Sequence, residues 1–223
     1  VTTSPLPFTY APPAHQGLDL LYQDDYLLVV NKPSGLLSVP GRGEDRHDSL
    51  ISRVQAEFPD ALIVHRLDLD TSGLLVLARG ALMHRTLSIY FMERQVSKRY
   101  IAVVAGQLAE AKGEINLPLI VDWPNRPRQI VDFASGKPSR TRYQVHSYDA
   151  ASDSSRVHLE PITGRTHQLR VHMASLGHPI FGDTLYAGEF ASRAERLLLH
   201  AEYLALPHPH HGEALSFSCP PPF

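Results

Sequence analysis

Two short apolar stretches, Leu18 to Tyr22 and Tyr26 to Asn31, are parted by Asp24 and Asp25, and together they predict two strands joined by a tight turn. Lys32-Pro33-Ser34-Gly35 ends the second strand, because proline cannot donate to a sheet ladder and glycine permits a turn. Leu50, Ile51, Val54 and Phe58 then fall on one helical face, with Asp48 or Ser49 positioned to cap the helix and Pro59 to stop it. Leu62 to Arg79 reads as strand, polar loop and strand, the loop being Leu67 to Gly73 and the second strand Leu74 to Ala78. A helix follows, with Leu82, Thr86, Leu87, Tyr90 and Phe91 on one side. Strands are predicted over 97–105, 114–121, 139–148 and 155–160, with a basic loop from Asp122 to Arg128 between the second and third. A helix over 165–176 starts after Gly164 and closes at Gly177; a helix-like stretch and two strands, 198–206 and 213–218, complete the pattern.

Helices set among many strands without regular alternation predict an α+β fold: a mixed, mostly antiparallel sheet with flanking helices and a central cleft. No repeat and no linker composition interrupts residues 18–223, which read as a single catalytic domain. Residues 1–17, rich in Pro, Ser and Thr, read as an irregular and loosely held arm.

Composition narrows the class. Of 223 residues, 43% are apolar and 20% charged, an ordinary globular balance. Apolar runs such as Tyr26 to Val30 fall far short of the roughly 20 residues that span a bilayer. The single cysteine, Cys219, excludes an internal disulfide and a multi-cysteine metal site. No basic leader of the secretory type is present, so a cytoplasmic protein is expected. Net charge is only −2, yet residues 1–64 carry −4, 65–182 carry +5 and 183–223 carry −3. A positive middle between acidic ends suits a groove for a polyanion, although chance clustering explains it about equally well.

Three clusters could carry chemistry. In His65-Arg66-Leu67-Asp68-Leu69-Asp70-Thr71-Ser72-Gly73 a carboxylate sits on a loop between two strands, where functional side chains are often presented. The blander reading is a turn capped by Asp68 or Asp70, and on spacing alone that is the commoner case. In Gly164-Arg165-Thr166-His167-Gln168-Leu169-Arg170, a helix start beside Arg165 could face an anion. Arg165 and Arg170, five residues apart, should address different partners, one a phosphate and the other a carboxylate. Lys98-Arg99-Tyr100 opens a strand, with Lys98 and Tyr100 on one side; the tyrosine either stacks on a base or fills the core. His167 and His172 do not share a helical face, and His208, His210 and His211 lie in a Pro-rich turn, so no metal site is expected.

Taken together these motifs resemble the pseudouridine synthases of the RluA family. The His65 to Gly73 string, Lys98-x-Tyr100, Gly164 to Arg170 and Leu197-Leu198-Leu199-His200-Ala201 match four of its ordered blocks, and Asn31 to Leu36 fits a fifth. Asp122-Trp123-Pro124-Asn125-Arg126-Pro127 is most similar to the RluA subgroup. The resemblance implies an isomerase that converts loop uridines in structured RNA, rRNA and tRNA stem-loops, to pseudouridine. It makes Asp68 the nucleophile or base, Arg170 its ion-pair partner through a bidentate contact, and Tyr100 the ring stacked on the target base. Arg66 would help to expel the nucleotide, and Leu198 or its neighbours would wall the uracil pocket. Arg126, Arg128 and Arg165, with Lys137, Arg140 and Arg142, would contact RNA phosphates. The stretch before residue 18 is too short for the S4-like module of other branches. Neither metal nor organic cofactor is expected, since the reaction neither oxidises nor hydrolyses; nor is an obligate protein partner.

Two other classes remain open on the residues: a nucleoside or glycoside hydrolase using Asp68 and Asp70 as paired carboxylates, and a non-catalytic chaperone that binds RNA loops.

Overall fold

A computed structural model describes residues 10–223. The strands are β1 (Leu20–Gln23), β2 (Leu27–Lys32), β3 (Ala61–Ile63), β4 (Ser72–Arg79), β5 (Ser97–Ala105), β6 (Lys112–Asn116), β7 (Leu119–Val121), β8 (Gln129–Val131), β9 (Arg140–Asp149), β10 (Ser154–Pro161), β11 (Leu199–Pro207) and β12 (Ala214–Ser218). Three α-helices accompany them: α1 (Leu50–Glu57), α2 (Gly80–Met92) and α3 (Gln168–Ser175). Ten strands form one sheet with the order β1-β2-β4-β11-β5-β10-β9-β6, to which β3 adds beside β4 and β12 beside β11. Every pairing is antiparallel except β4 with β11, so the expected mixed, mostly antiparallel α+β architecture is the one observed.

The continuous apolar runs of β2 and β4 are explained by burial on both faces. Leu27, Val29, Leu74 and Val76 pack with Met83 and Leu87 of α2. Their alternates Leu28, Val30, Leu75 and Leu77 pack with Leu50 and Val54 of α1 on the opposite side. A third cluster joins Ala102, Val104, Val157 and Leu159 to Leu169 and Met173 of α3. Ser49, rather than Asp48, caps α1, through a reciprocal box with Ser52. Among the described residues no helix is long and apolar enough to cross a membrane.

Four expectations need correction. The strand expected over 114–121 is two strands, because Pro118 has no N–H to continue a ladder; β6 stays in the main sheet while β7 pairs with β8 in a separate two-stranded sheet. The helix expected from Arg165 begins at Gln168, after His167 takes a left-handed backbone conformation (φ 54°). The helix-like stretch near the end is a 3-10 segment, Gly188–Arg193. Residues 1–9 of the arm lie outside the described residues, but its inner end is held firmly. Tyr10 is buried, its hydroxyl donating to Asp48 O and accepting from Leu37 N, and Arg53 donates to Pro13 O.

Candidate active site

Asp68 sits on the loop between β3 and β4, and that loop is bound to the Lys32–Ser38 turn by a dense set of hydrogen bonds. Gly35 N and the Lys32 ammonium both donate to Leu69 O at 3.0 Å. Ser34 donates to Asp70 O, and Ser38 donates to Leu67 O while accepting from Leu67 N. Lys32 is wholly buried and also reaches Pro33 O and Leu36 O, so three carbonyls meet the three donors of its ammonium. Burial pushes its pKa down to about 7, opposed by the charges of Asp70 and Asp68. At the loop's far end Gly73 has φ +114°, and a Cβ there would stand 2.4 Å from Ala201 O. Glycine therefore permits the close parallel contact of β4 with β11 on which the loop rests.

The Asp68 carboxylate faces a cleft of about 530 Å³. Its walls come from the 64–71 loop, the end of α2, β5 and the segment leading into α3. Five cations line it, Arg66, Arg94, Lys98, Arg165 and Arg170, and among the described lining residues Asp68 is the sole carboxylate. Tyr100 lies in the same wall, its phenol pKa pushed up by burial and by the Asp68 charge. Burial lowers the pKa of Lys98, whose ammonium lies 5.7 Å from the Phe91 ring centroid. Asp70 is outside the lining, and burial raises its carboxyl pKa against the pull of Arg170 and Lys32.

Arg170, on α3, is not paired as expected. Nε and Nη2 both donate to Asp183 at 2.7 Å, and only Nη1 is turned to Asp68, at 3.7 Å from Oδ2. The bidentate partner is therefore Asp183. Both members are almost wholly buried, 3% and 1% exposed, whereas Asp68 is 22% exposed. The Leu185 and Tyr186 N–H groups also donate to Asp183 Oδ1. Tyr186 lies 5.2 Å beneath the Arg170 guanidinium; its hydroxyl accepts from Gln129 N and bonds to His167 Nδ1. Gly182, with φ +75°, lets the chain pass where a Cβ would collide with Arg196 O, which sets Asp183 into the core.

Of the residues singled out from sequence, Arg66, Asp68, Tyr100, Arg165 and Arg170 meet in one cleft. Leu198 is not in its lining: it packs, partly buried, against the third core cluster, while its neighbour Leu199, a member of that cluster, lines the cleft. Arg126 and Arg128 lie outside it, on the β7–β8 hairpin, against Trp123 and Tyr186 respectively. Arg140 and Arg142 face Glu114, and Arg142 also Glu160, so their charges are offset by carboxylates. The sequence reading missed Asp183, Tyr186, Lys32 and Arg94; the left-handed φ of 60° at Arg94 has no residue-level signal. His208 has a structural role, its Nδ1 accepting the N–H groups of His210 and His211 and its Nε2 meeting Asp24. Among the described residues no group of His, Cys, Asp and Glu could hold a metal.

Comparisons with known proteins agree on the lineage. The family model described as RNA pseudouridylate synthase matches residues 26–175. The chain is 53% identical over 215 residues to the dual-specificity RNA pseudouridine synthase RluA of Escherichia coli (strain K12), covering 96% of this chain and 98% of the relative. It is 54% identical over 201 residues to the protein of the same description from Yersinia pestis, covering 90% and 97%. Among solved structures it is similar to human RNA pseudouridylate synthase domain containing 1, with a TM-score of 0.79, 32% identity and coverage of 96% and 87%.

Proposed function

The chain belongs to the RNA pseudouridylate synthase family, and from that premise we propose that it isomerises chosen loop uridines of rRNA and tRNA stem-loops to pseudouridine in the cytoplasm, with Asp68 opening the reaction. One observation carries the assignment: a lone carboxylate, faced at 3.7 Å by a buried arginine, in a cleft whose other charges are all positive. Cations draw in the phosphodiester backbone, and the carboxylate is left to meet the sugar or base. A cleft of about 530 Å³ takes a single nucleotide turned out of its stack and is too small for a duplex.

The chemistry breaks N1–C1′ and forms C5–C1′ with no net change in composition. On the route we favour, Asp68 takes the C2′ proton as the N1–C1′ pair leaves with the base, giving a glycal. The uracil turns on the Tyr100 ring, C5 bonds to C1′ as the proton returns to C2′, and the C5 proton passes to solvent while N1 gains one. The route begins from an ionised Asp68, which Arg170 Nη1 faces at 3.7 Å, and the proton it takes is the one it returns. Tyr100 stays a neutral phenol, which suits a stacking surface. Arg66, exposed at the rim, is placed to occupy the gap left by the flipped nucleotide. Arg126, Arg128 and Arg165 contact phosphates.

The two-carboxylate hydrolase is disfavoured because Asp70 does not reach the cleft. Release of tritium from C5-labelled uridine in rRNA and tRNA transcripts tests the proposal. Wild type should release label and leave the base attached; Asp68→Ala should release none. Free uracil with abasic RNA would indicate a hydrolase, and RNA remodelling by Asp68→Ala without label release from wild type would indicate a chaperone.

A further inference from the structure

The β7–β8 hairpin exposes an aromatic surface that no part of the cleft chemistry uses. Trp123 in its turn is 64% exposed, Phe133 just beyond β8 is 79% exposed, and Ile130 between them is 40% exposed. Scattered exposed apolar residues are ordinary, but these three fall within eleven positions, on and just beyond one short hairpin. The Arg126 guanidinium stacks on Trp123 at 4.6 Å from the ring centroid and Arg128 lies against Tyr186; among the described residues neither meets a carboxylate. Aromatic faces interleaved with unneutralised arginines match single-stranded nucleic acid, which offers bases to stack and phosphates to pair. An apolar protein partner would instead bury those guanidinium groups without compensation.

The hairpin is continuous with the cleft. Gln129 N donates to Tyr186 OH, which bonds to His167 in the cleft wall. At its other end Leu119 pairs with Lys137, next to Pro138, whose carbonyl accepts from Arg165 on the cleft rim. The hairpin is thus tied through these bonds to residues that line the cleft. We propose that Trp123 and Phe133 form a second RNA subsite, a stacking platform for unpaired nucleotides flanking the target uridine, with Arg126 at the adjacent phosphate. The proposal rests on the synthase reading but concerns residues outside the reaction.

Trp123 is the sole tryptophan of the chain, so its emission reports on this platform alone. The Asp68→Asn chain is titrated with an unmodified transcribed anticodon stem-loop and with a fully paired RNA duplex of equal length. Saturable quenching by the stem-loop, absent with the duplex, is the expected result. Trp123→Ala should weaken stem-loop binding about tenfold and Trp123→Phe should restore most of it. Leu82→Ala, which removes an equally exposed apolar side chain on α2, should leave affinity unchanged. Unaltered tryptophan emission on RNA that filter binding shows to be bound, or wild-type affinity in Trp123→Ala, would overturn the platform. Absence of pseudouridine after wild-type reaction would instead overturn the synthase reading, so the two failures are told apart.

Discussion

Arg170 gives its fork to Asp183 and its remaining nitrogen to Asp68: two contacts of 2.7 Å against one of 3.7 Å. The buried carboxylate fixes the guanidinium, and the guanidinium then presents a directed charge to the more exposed one. Asp183→Asn leaves a buried cation uncompensated, and such losses cost about 3–5 kcal/mol. The expected outcome is a lower urea midpoint together with a large fall in single-turnover rate. Arg170→Lys keeps the charge but cannot bridge both carboxylates, so it should fold at reduced stability and lose most activity. A near wild-type rate in Arg170→Lys would contradict this division of labour.

Asp68 should behave in the opposite way. Its removal leaves the Arg170–Asp183 pair intact, and the carboxylate is partly solvated. Asp68→Asn is expected to change stability by less than about 1 kcal/mol while abolishing turnover. Thermal melts and tritium release on the same preparation check both halves.

His65 makes stability sensitive to acid. Its ring stacks on Phe91 at 4.5 Å, its Nε2 accepts from Val76 N, and burial, with Lys98 nearby, lowers its pKa to about 3. Between about pH 6.5 and 3 the unfolded chain binds a proton here that the folded chain does not, so this contribution falls as pH falls. Unfolding free energies from urea titrations at pH 7 and pH 5 should differ by about 2 kcal/mol more in wild type than in His65→Gln.

RNA affinity should depend on salt through the unpaired cations and not through those already neutralised. Lys98 and Arg165 line the cleft, whereas Arg142 faces Glu114 and Glu160. Lys98→Ala should reduce the slope of log Kd against log salt by about 0.7, the value for one phosphate contact to a single strand. Arg142→Ala should leave that slope unchanged.

The parts of this architecture that were legible in the sequence are those where a local pattern decides the outcome. Leu74 to Ala78 is apolar at every position because both faces of β4 are covered, and Ser49 precedes an amphipathic run it can cap. Asp68, Tyr100 and Arg170 could be picked out because they stand in ordered motifs. Asp183 could not, since nothing in its neighbourhood says which guanidinium reaches it across 13 positions; only Gly182 before it hinted at a forced turn. The β7–β8 hairpin escaped notice because three-residue strands carry too few alternations to show a period, and Pro118 looked like a flaw in one strand rather than a switch between two sheets.

β11 lies between β4 and β5, in the middle of the sheet, although β6 to β10 are all synthesised before it. A ribosome-bound chain that has completed β5 still has a vacant slot at its centre, and the turn bearing Asp68 has no Ala201 backbone to lean on. The enzyme is thus assembled late, by insertion rather than by growth from one edge, a long-range closure of the kind that slows folding. A chain stopped before β11 would lack the backbone on which the Asp68 loop rests, and with it a formed site.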